Sequence, residues 1–218
     1  MRKSNRNCSI KMNTFAFIFY FFMESSYNNR QVQIINAAIK LMGEGGIQKL
    51  TTKNLALEVG VTEPALYRHF SNKIDVLRQV LGYLKSRILY RLDTIISSGK
   101  SPGEKIEELI GRQFEAFSRR PEVVVVLLSE GLYQNHPELS QSVFSIMQES
   151  AIRYIRVIEE GQELGLFRRD IAARQIAFML MGSMRFCVIQ WHLSGNSYSL
   201  VSKGEELLYT FKVMLSTA

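Results

Sequence analysis

The fold of this chain is decided by residues 51–70, which read TTKNLALEVGVTEPALYRHF. Apolar spacing predicts two short helices in this stretch, over 52–58 and 63–70, with Gly60 between them. A glycine there can adopt the left-handed conformation that ends the first helix, and Thr62 can cap the second. This spacing predicts a helix-turn-helix, the motif that places its second helix in the major groove of DNA.

A helical wheel over residues 63–70 separates a buried side of the second helix from a side that faces the groove. Leu66 and Phe70 lie four residues apart and belong to the small core between the helices. Compact residues on the other side let the helix approach the bases, while a tyrosine or arginine can donate to phosphates or base edges. A half-buried core position for Tyr67 and a merely solvated charge for Arg68 remain open alternatives. The residues predicted to face DNA are Pro64, Ala65, Tyr67 and Arg68.

At these residues the chain resembles the tetracycline-repressor (TetR) family of regulators. The resemblance implies that DNA phosphates are bound by Thr52, Tyr67, His69 and Lys73, and that the residues at or near base edges are Lys53, Glu63, Pro64 and Ala65. Glu63 is a departure, because a carboxylate in the groove either accepts from a cytosine amino group or is repelled by phosphate. The family pattern is matched by Thr51-Thr52, Leu55-Ala56, Gly60-Val61, Leu66-Tyr67-Arg68-His69-Phe70 and Lys73.

Helices are also predicted around and beyond this motif. The first should begin at residue 28 or 29, with Gln31 placed to complete a capping box, and stop at Gly45-Gly46, and a leucine-rich helix should begin near Asn72. Asp170 should cap one of the later helices. Further helices are predicted over 101–119, 120–133, 136–161, 170–192 and 199–216.

Strand signals are weak, so the sequence predicts an all-α fold. We expect an N-terminal three-helix helix-turn-helix head over residues 24–75, followed by an α-helical effector-binding and dimerisation bundle over 76–218. The basic excess agrees with this division. Residues 24–85 hold eight Lys and Arg against five Asp and Glu, whereas residues 86–218 hold fifteen of each.

Residues 1–23 combine four basic residues with a short apolar stretch and resemble a signal peptide. The stretch is too short to span a bilayer, and no small-residue cleavage site follows it. We expect a leader that is not part of the fold, with Met23 as the natural start. An interfacial anchor or an extra helix packed on the body is the alternative.

Aromatic and methionine residues of the bundle are candidates for an effector pocket, because such side chains line adaptable apolar cavities. An apolar lining favours a hydrophobic effector such as a fatty-acyl group, a drug or an aromatic compound. An ordinary core position is the alternative for each candidate. The candidates are Phe114, Phe117, Phe144, Met147, Tyr154, Met179 and Trp191.

The segment 171–191 is apolar nearly all round and contains small residues, so it should be buried on two sides. One side would face the bundle and the other a second copy of the chain, with residues 199–216 completing a four-helix interface. The predicted dimer-interface residues are Ile176, Leu180, Met184, Cys187, Leu208, Phe211 and Leu215.

Together these features favour a cytoplasmic, homodimeric regulator of transcription that binds a palindromic operator in double-stranded DNA. The leading hypothesis is a repressor released by a small hydrophobic effector. The alternative is a ligand-independent or nucleoid-associated DNA-binding protein of the same fold, which a closed body without a cavity would favour. Paired carboxylates, a nucleophile elbow, a phosphate loop and metal-ligand spacing are missing from the sequence, so we expect no enzyme activity, cofactor, metal or membrane association.

Overall fold

The computed structural model describes residues 27–129, 133 and 135–216. Within these residues the chain forms helices and no strand, as an all-α fold requires. The expectation for the leader over residues 1–23 lies outside the described residues. The helices are α1 (Asn29–Lys49), α2 (Thr52–Val59), α3 (Glu63–Leu66), α4 (Lys73–Ile96), α5 (Pro102–Arg119), α6 (Pro121–Leu128), α7 (Pro137–Glu163), α8 (Ala173–Leu193) and α9 (Leu200–Leu215).

Helix α1 begins with the predicted capping box. The Asn28 Oδ1 atom accepts from the Gln31 backbone N–H, and the Gln31 Oε1 atom accepts from the Asn28 backbone N–H, each at 2.9 Å. The helical path is interrupted where expected, because Gly46 has a φ of 67° and Gly45 is also non-helical. Residues 47–49 then add one more helical turn before α2.

The turn between α2 and α3 has the predicted conformation. Gly60 is left-handed, with φ 71° and ψ 42°, and its N–H donates back to carbonyls near the end of α2. Thr62 does precede α3, but its side chain accepts no capping hydrogen bond, so that detail of the prediction is wrong. Helix α3 also ends at Leu66, short of the predicted residue 70. The chain turns over 67–69 before reaching Asn72, which has an extended backbone and caps α4 with its side chain, whose Oδ1 atom accepts from the Asp75 N–H at 2.9 Å.

We use "head" for α1, α2, α3 and the first half of α4, and "body" for the rest of the described chain. The head core contains Ile35, Ala38, Ile39 and Leu77, which are almost completely buried, and it is completed by Val126 of α6 and Leu139 of α7. Helix α4 runs from this core into the body, where it packs along α7. The body is a bundle in which α7 also packs on α8, and α5 packs on α9.

Two predicted boundaries in the body differ from the structure. The helix predicted over 120–133 ends at Leu128. Helix α8 begins at Ala173 and is not capped by Asp170. The Asp170 carboxylate is held instead by the Arg168 guanidinium, with an Nε–Oδ1 distance of 2.7 Å, which keeps it away from the start of the helix.

Helix α8 is long and apolar enough to cross a membrane by length and composition. One side of it is buried in the body, where Leu180, Met184 and Trp191 contribute to the core. Its apolar character is therefore accounted for, on that side, by packing against α7 and α9.

Candidate DNA-binding surface and effector cavity

The α3 segment presents the predicted side to the surface. Leu66 and Phe70 are buried, while Pro64 and Arg68 are exposed. Tyr67 is 53% exposed, which does not fit the alternative of a core aromatic. The orientation that the helical wheel predicts is therefore the one the structure has, and contact with DNA stays a prediction.

The remaining candidates surround this segment. Glu63 and Lys53 are exposed, whereas Thr52, Ala65 and His69 are partly buried. All of these lie on α2, on α3 or in the turn that follows α3. Pro64, Tyr67 and Arg68 lie on or directly after α3 as well.

Lys73 has a partner within the head that the sequence does not reveal. Its Nζ atom donates to the Ile47 backbone carbonyl oxygen at 2.9 Å, and partial burial lowers the pKa of the ammonium group. This hydrogen bond ties the start of α4 to the end of α1. A phosphate contact at Lys73 would have to share or replace it.

The body contains a cavity of about 1280 Å³, bounded by α4, α5, α6, α7 and α8. Five of the predicted pocket residues line it: Phe117, Phe144, Met147, Tyr154 and Met179. Phe144, Met147 and Met179 are also substantially exposed, as is Phe178 beside them. The cavity therefore opens to the surface between α7 and α8.

Two predicted pocket residues do not line this cavity. Phe114 is completely buried on the other side of α5, where it lies so close to Gly204 of α9 that a Cβ atom there would overlap its ring. Trp191 is buried in the core, and its Nε1–H donates to the Tyr198 carbonyl oxygen at 2.9 Å. Both belong to the ordinary core, the alternative that the sequence left open.

Sequence reasoning missed a second group of lining residues. Ile88 and Leu92 of α4 have the spacing of ordinary core residues, and nothing in their pattern distinguishes a cavity wall from a packed interior. Polar side chains also line the cavity. A search for aromatic and methionine residues could not identify them. They are Gln113, Gln148, Ser150, Arg174, Gln175 and Arg185.

Helix α6 lies between the cavity and the head. Val124 belongs to the body core and lines the cavity, while Val126 belongs to the head core. Leu127 packs against the head core and lines the cavity as well. A single two-turn helix therefore contacts both the cavity and the head core.

The start of α6 is packed closely against α1. A Cβ atom at Gly43 would overlap Glu122, so only glycine permits this approach. The Arg120 guanidinium donates to the Asn36 Oδ1 atom at 3.1 Å and also pairs with the Glu122 carboxylate at 2.8 Å. These contacts join head and body on the side of α1 that carries Asn36 and Gly43.

The predicted dimer-interface residues are found inside the chain. Leu208 is partly buried, and the other six are 8% exposed or less, because they face the core of their own bundle. They are Ile176, Leu180, Met184, Cys187, Phe211 and Leu215. The large apolar residues that α8 and α9 leave at the surface are different ones: Phe178, Met179, Phe186, Leu193, Tyr209, Val213 and Met214. Within the single chain the predicted residues thus face the bundle, and the other side of α8 and α9 carries the exposed apolar residues.

Among residues 27–129, 133 and 135–216, no group of three or more histidine, cysteine or acidic side chains could hold a metal ion.

Comparison with known proteins adds the family. Residues 34–80 match the family described as bacterial regulatory proteins, tetR family, and residues 81–214 match the one described as YsiA-like protein, C-terminal region. YerO of Bacillus subtilis, an uncharacterized HTH-type transcriptional regulator, is 28% identical over 165 residues, which are 73% of this chain and 57% of that protein. The chain thus spans little more than half the length of YerO.

Two further relatives are matched over most of their length. The fatty acid metabolism regulator protein of Bacillus subtilis is 24% identical over 179 residues, covering 82% of this chain and 92% of that one. The crystal structure of the transcriptional regulator FadR from Bacillus subtilis in complex with stearoyl-CoA superposes with a TM-score of 0.75 at 23% identity, over 84% of this chain and 98% of that one. Since the two family matches together run from residue 34 to residue 214, the chain belongs to the TetR family of bacterial regulatory proteins and is a DNA-binding regulator of transcription.

Proposed function

We propose that this chain is a homodimeric repressor that releases a palindromic DNA operator when a small hydrophobic effector fills the cavity of the body. The observation that carries the proposal is the cavity of about 1280 Å³, which exceeds the range of about 300–1,000 Å³ usual for ligand pockets. A ligand-independent protein of this fold has no need of such a space. The cavity therefore favours the effector hypothesis over the nucleoid-associated alternative.

An elongated apolar effector fits the lining best. Most of the wall is aliphatic, aromatic or methionine, and the polar groups are few. The related FadR structure was solved with stearoyl-CoA, a ligand with a long apolar chain. A fatty-acyl compound is accordingly our first choice of effector class, ahead of a drug or an aromatic compound.

DNA would be bound by the exposed side of the head. Arg68, Pro64 and Ala65 would meet base edges, with Glu63 and Lys53 at or near them. The exposure of Arg68, Pro64, Glu63 and Lys53 supports this. Thr52, Tyr67, His69 and Lys73 would hold the phosphates on either side. Two heads in one dimer must then match half-sites about 34–36 Å apart.

The dimer would form through the apolar residues that α8 and α9 expose. Phe178, Phe186 and Leu193 on α8 and Tyr209 and Val213 on α9 are each at least 60% exposed in the single chain. Covering such side chains is favourable by about 25 cal/mol per Å² of apolar area removed from water. The assembled regulator would work in the cytoplasm, where its DNA is.

Release would pass through α6. An effector that fills the cavity presses on Val124 and Leu127, and Leu127 also packs against the head core. Gly43 and Glu122 are in close contact, so α1 and α6 have no free space between them. A displacement of α6 would therefore move the head. A changed separation of the two heads weakens binding to a palindrome, because only one head then fits its half-site.

The test of effector control starts from DNA that the purified protein retains, which is sequenced to obtain an operator duplex. Fluorescence anisotropy then follows release of this duplex as stearoyl-CoA is added. We expect release by wild type, and tight DNA binding without release by Ala151→Phe, which fills the cavity. Ile152→Phe is the matched control, because Ile152 is the next residue along α7 but is exposed and lies outside the cavity. Stearoyl-CoA bound without any release of DNA would refute the proposal.

The proposed DNA contacts are tested by Arg68→Ala and Lys73→Ala on operator and scrambled duplexes across a salt series. Arg68→Ala should lose about 1–3 kcal/mol on the operator and much less on scrambled DNA, as expected for a base contact. Lys73→Ala should weaken both duplexes alike and make the salt slope shallower by about one unit. Lys40→Ala, which removes an exposed cation from α1, serves as the control. Equal losses on both duplexes for Arg68→Ala would make Arg68 a phosphate contact.

A further inference from the structure

Two hydroxyl groups in the wall of the cavity have no hydrogen-bond partner among the described residues. Ser150 and Tyr154 of α7 both line the cavity, and they are only 7% and 3% exposed. Within residues 27–129, 133 and 135–216, neither hydroxyl donates a hydrogen bond or accepts one. Buried polar groups normally have such a partner, so this arrangement needs an explanation.

Comparable groups elsewhere in the body do have partners. The Ser142 hydroxyl of α7 donates to the backbone carbonyl oxygen four residues earlier at 2.8 Å, and the Ser183 hydroxyl of α8 does the same at 2.8 Å. Trp191, which is as buried as the cavity tyrosine, donates to a backbone carbonyl oxygen at 2.9 Å. Ser150 does not make the corresponding bond to Ile146, although both residues lie in the described part of α7. The unpaired hydroxyls are therefore particular to the cavity wall.

Both hydroxyls remain accessible from the cavity. Among the described residues, the side-chain polar atom that is fully enclosed and also lacks a partner is His192 Nδ1, which lies outside the cavity lining. The Ser150 and Tyr154 oxygens are not enclosed in that way, so they meet open space, and the space that their residues line is the cavity. Burial raises the pKa of the Tyr154 hydroxyl, so the group stays protonated and can donate as well as accept.

Helix geometry brings the two groups to one place. Ser150 and Tyr154 are four residues apart on the same side of α7, and Cβ atoms at this spacing are about 5–6 Å apart. Long side chains of a helix generally lean toward its N-terminus, which is the direction of Ser150 from Tyr154. A ligand group that lies against this side of α7 can therefore meet both hydroxyls.

The other polar residues of the lining are in a different situation. Gln148, Arg174 and Gln175 are exposed, so water satisfies their polar atoms. Ser150 and Tyr154 are enclosed instead, and no such exposure is available to them. A partner for these hydroxyls has to come from inside the cavity.

An uncharged oxygen suits this position better than an anion does. The residues that directly follow the two hydroxyls in the cavity lining are Ala151 and Ile155, which are apolar. Arg91 of α4 acts on Tyr154 electrostatically but does not line the cavity. A carboxylate or phosphate buried among apolar residues loses strong hydration, whereas a hydroxyl or carbonyl oxygen loses far less and needs only hydrogen bonds.

We propose that the Ser150 and Tyr154 hydroxyls form a hydrogen-bonding site inside the cavity, which receives an uncharged hydroxyl or carbonyl oxygen of the effector. The inference rests on the proposed function, because the apolar remainder of the same molecule fills the cavity. It narrows the effector class to apolar molecules that carry such an oxygen within their buried part. A fatty-acyl effector would supply its acyl carbonyl or a hydroxyl on its chain.

The site is tested with four probes that share one apolar body: biphenyl, 4-phenylphenol, 4-acetylbiphenyl and biphenyl-4-carboxylate. Equilibrium dialysis measures their affinities for the full-length protein. We expect Tyr154→Phe and Ser150→Ala each to bind 4-phenylphenol or 4-acetylbiphenyl roughly fivefold or more weakly than wild type, the size of one hydrogen bond, with biphenyl unchanged. Loss for the phenol assigns a hydroxyl, and loss for the ketone assigns a carbonyl. The control is Ser142→Ala, which removes a hydroxyl of α7 outside the cavity and should bind every probe as wild type does.

Several results would overturn the proposal. A variant that binds both oxygenated probes as wild type does would remove its hydroxyl from the site, and an equal loss for biphenyl would mean that the cavity itself has changed shape. A hydroxyl-dependent loss that is largest for biphenyl-4-carboxylate would make the site one for anions. Failure of every probe to bind wild type would also contradict it.

Thermal unfolding without any probe separates ligand binding from a structural role. Tyr154→Phe and Ser150→Ala should melt at or above the wild-type temperature, because neither substitution removes a hydrogen bond within the described chain. A clearly lower Tm for both variants would make the hydroxyls structural and overturn the proposal.

Operator release, followed with the same probes by fluorescence anisotropy, distinguishes the site from the proposed function. Hydroxyl-dependent binding without release of DNA by any probe or by stearoyl-CoA keeps the site and refutes effector control. Release by stearoyl-CoA without hydroxyl-dependent binding of any probe keeps effector control and refutes the site.

Discussion

The interiors of head and body are built differently. The head core is closed by almost fully buried aliphatic residues such as Ile35 and Ile39, and none of the cavity lining comes from α1, α2 or α3. The body encloses about 1280 Å³ of open space among residues of similar character. A close-packed unit moves as one piece, whereas a unit with internal space can change shape at low cost. Under the proposed function, the rigid head would read the DNA and the body, which contains the cavity, would change shape when the effector binds.

Helix α6 is where the two interiors meet. Val126 is 1% exposed in the head core, and Val124, two residues earlier, is completely buried in the body core and lines the cavity. Helix α7 also takes part, because Leu139 lies in the head core and Val143 packs against that core and lines the cavity. Three pairs of variants test the difference between head and body. Each pair compares a residue in a closely packed position with a residue in an exposed or open position.

The largest effect should come from charge placed on the two sides of the last helices. Phe211→Asp places a carboxylate at a site that is 3% exposed, which costs several kcal/mol and should leave the body unfolded by circular dichroism. Phe186→Asp changes a side chain that is 60% exposed, so the chain should stay folded but run as a monomer in light scattering and bind operator weakly. A folded monomer from Phe211→Asp would place the dimer interface on the opposite side of α9.

A smaller difference in the free energy of unfolding is expected between two truncations, one in the packed head core and one at the wall of the cavity. Ile39→Ala in the head leaves a void among packed neighbours and should lower the free energy of unfolding by about 2–5 kcal/mol. Met147→Ala at the mouth of the cavity removes a side chain that is 45% exposed and should cost less than about 1 kcal/mol. Urea denaturation measures both. Similar losses would mean that the cavity is closed in solution.

The smallest effect should appear at the junction. Gly43→Ala forces α1 and α6 apart and should destabilise by about 1–3 kcal/mol while weakening operator binding, because the added methyl overlaps Glu122. Gly111→Ala on α5 meets no atom within 4 Å and should stabilise by up to about 1 kcal/mol. Urea denaturation and operator titration are read on both variants. An unchanged operator affinity for Gly43→Ala would show that the head is not held through α6.

The sequence predicted most of the head because its signals are local. The capping box at Asn28, the left-handed Gly60 and the buried pair Leu66 and Phe70 each follow from neighbouring residues. The length of α3 did not follow, because the chain leaves the helix to reach the extended cap at Asn72.

The sequence predicted the helices of the body, but not the direction in which several of their side chains point. Phe114 and Phe117 are three residues apart and look alike in sequence, yet one faces α9 and the other the cavity. Helix α8 is apolar on every side, so its sequence did not show which side packs against the bundle. The residues predicted for the interface are those that the structure buries within the single chain.

The cavity also has a consequence for how long the protein lasts. A ligand that binds only the folded chain stabilises it by about 2.7 kcal/mol at a hundredfold excess over its Kd. Proteases that degrade the transiently open chain then find about a hundredfold less of it. An effector that empties the operator would in this way lengthen the half-life of the regulator it inactivates. Falling effector levels would meet a preserved pool of protein that is ready to bind DNA again without new synthesis.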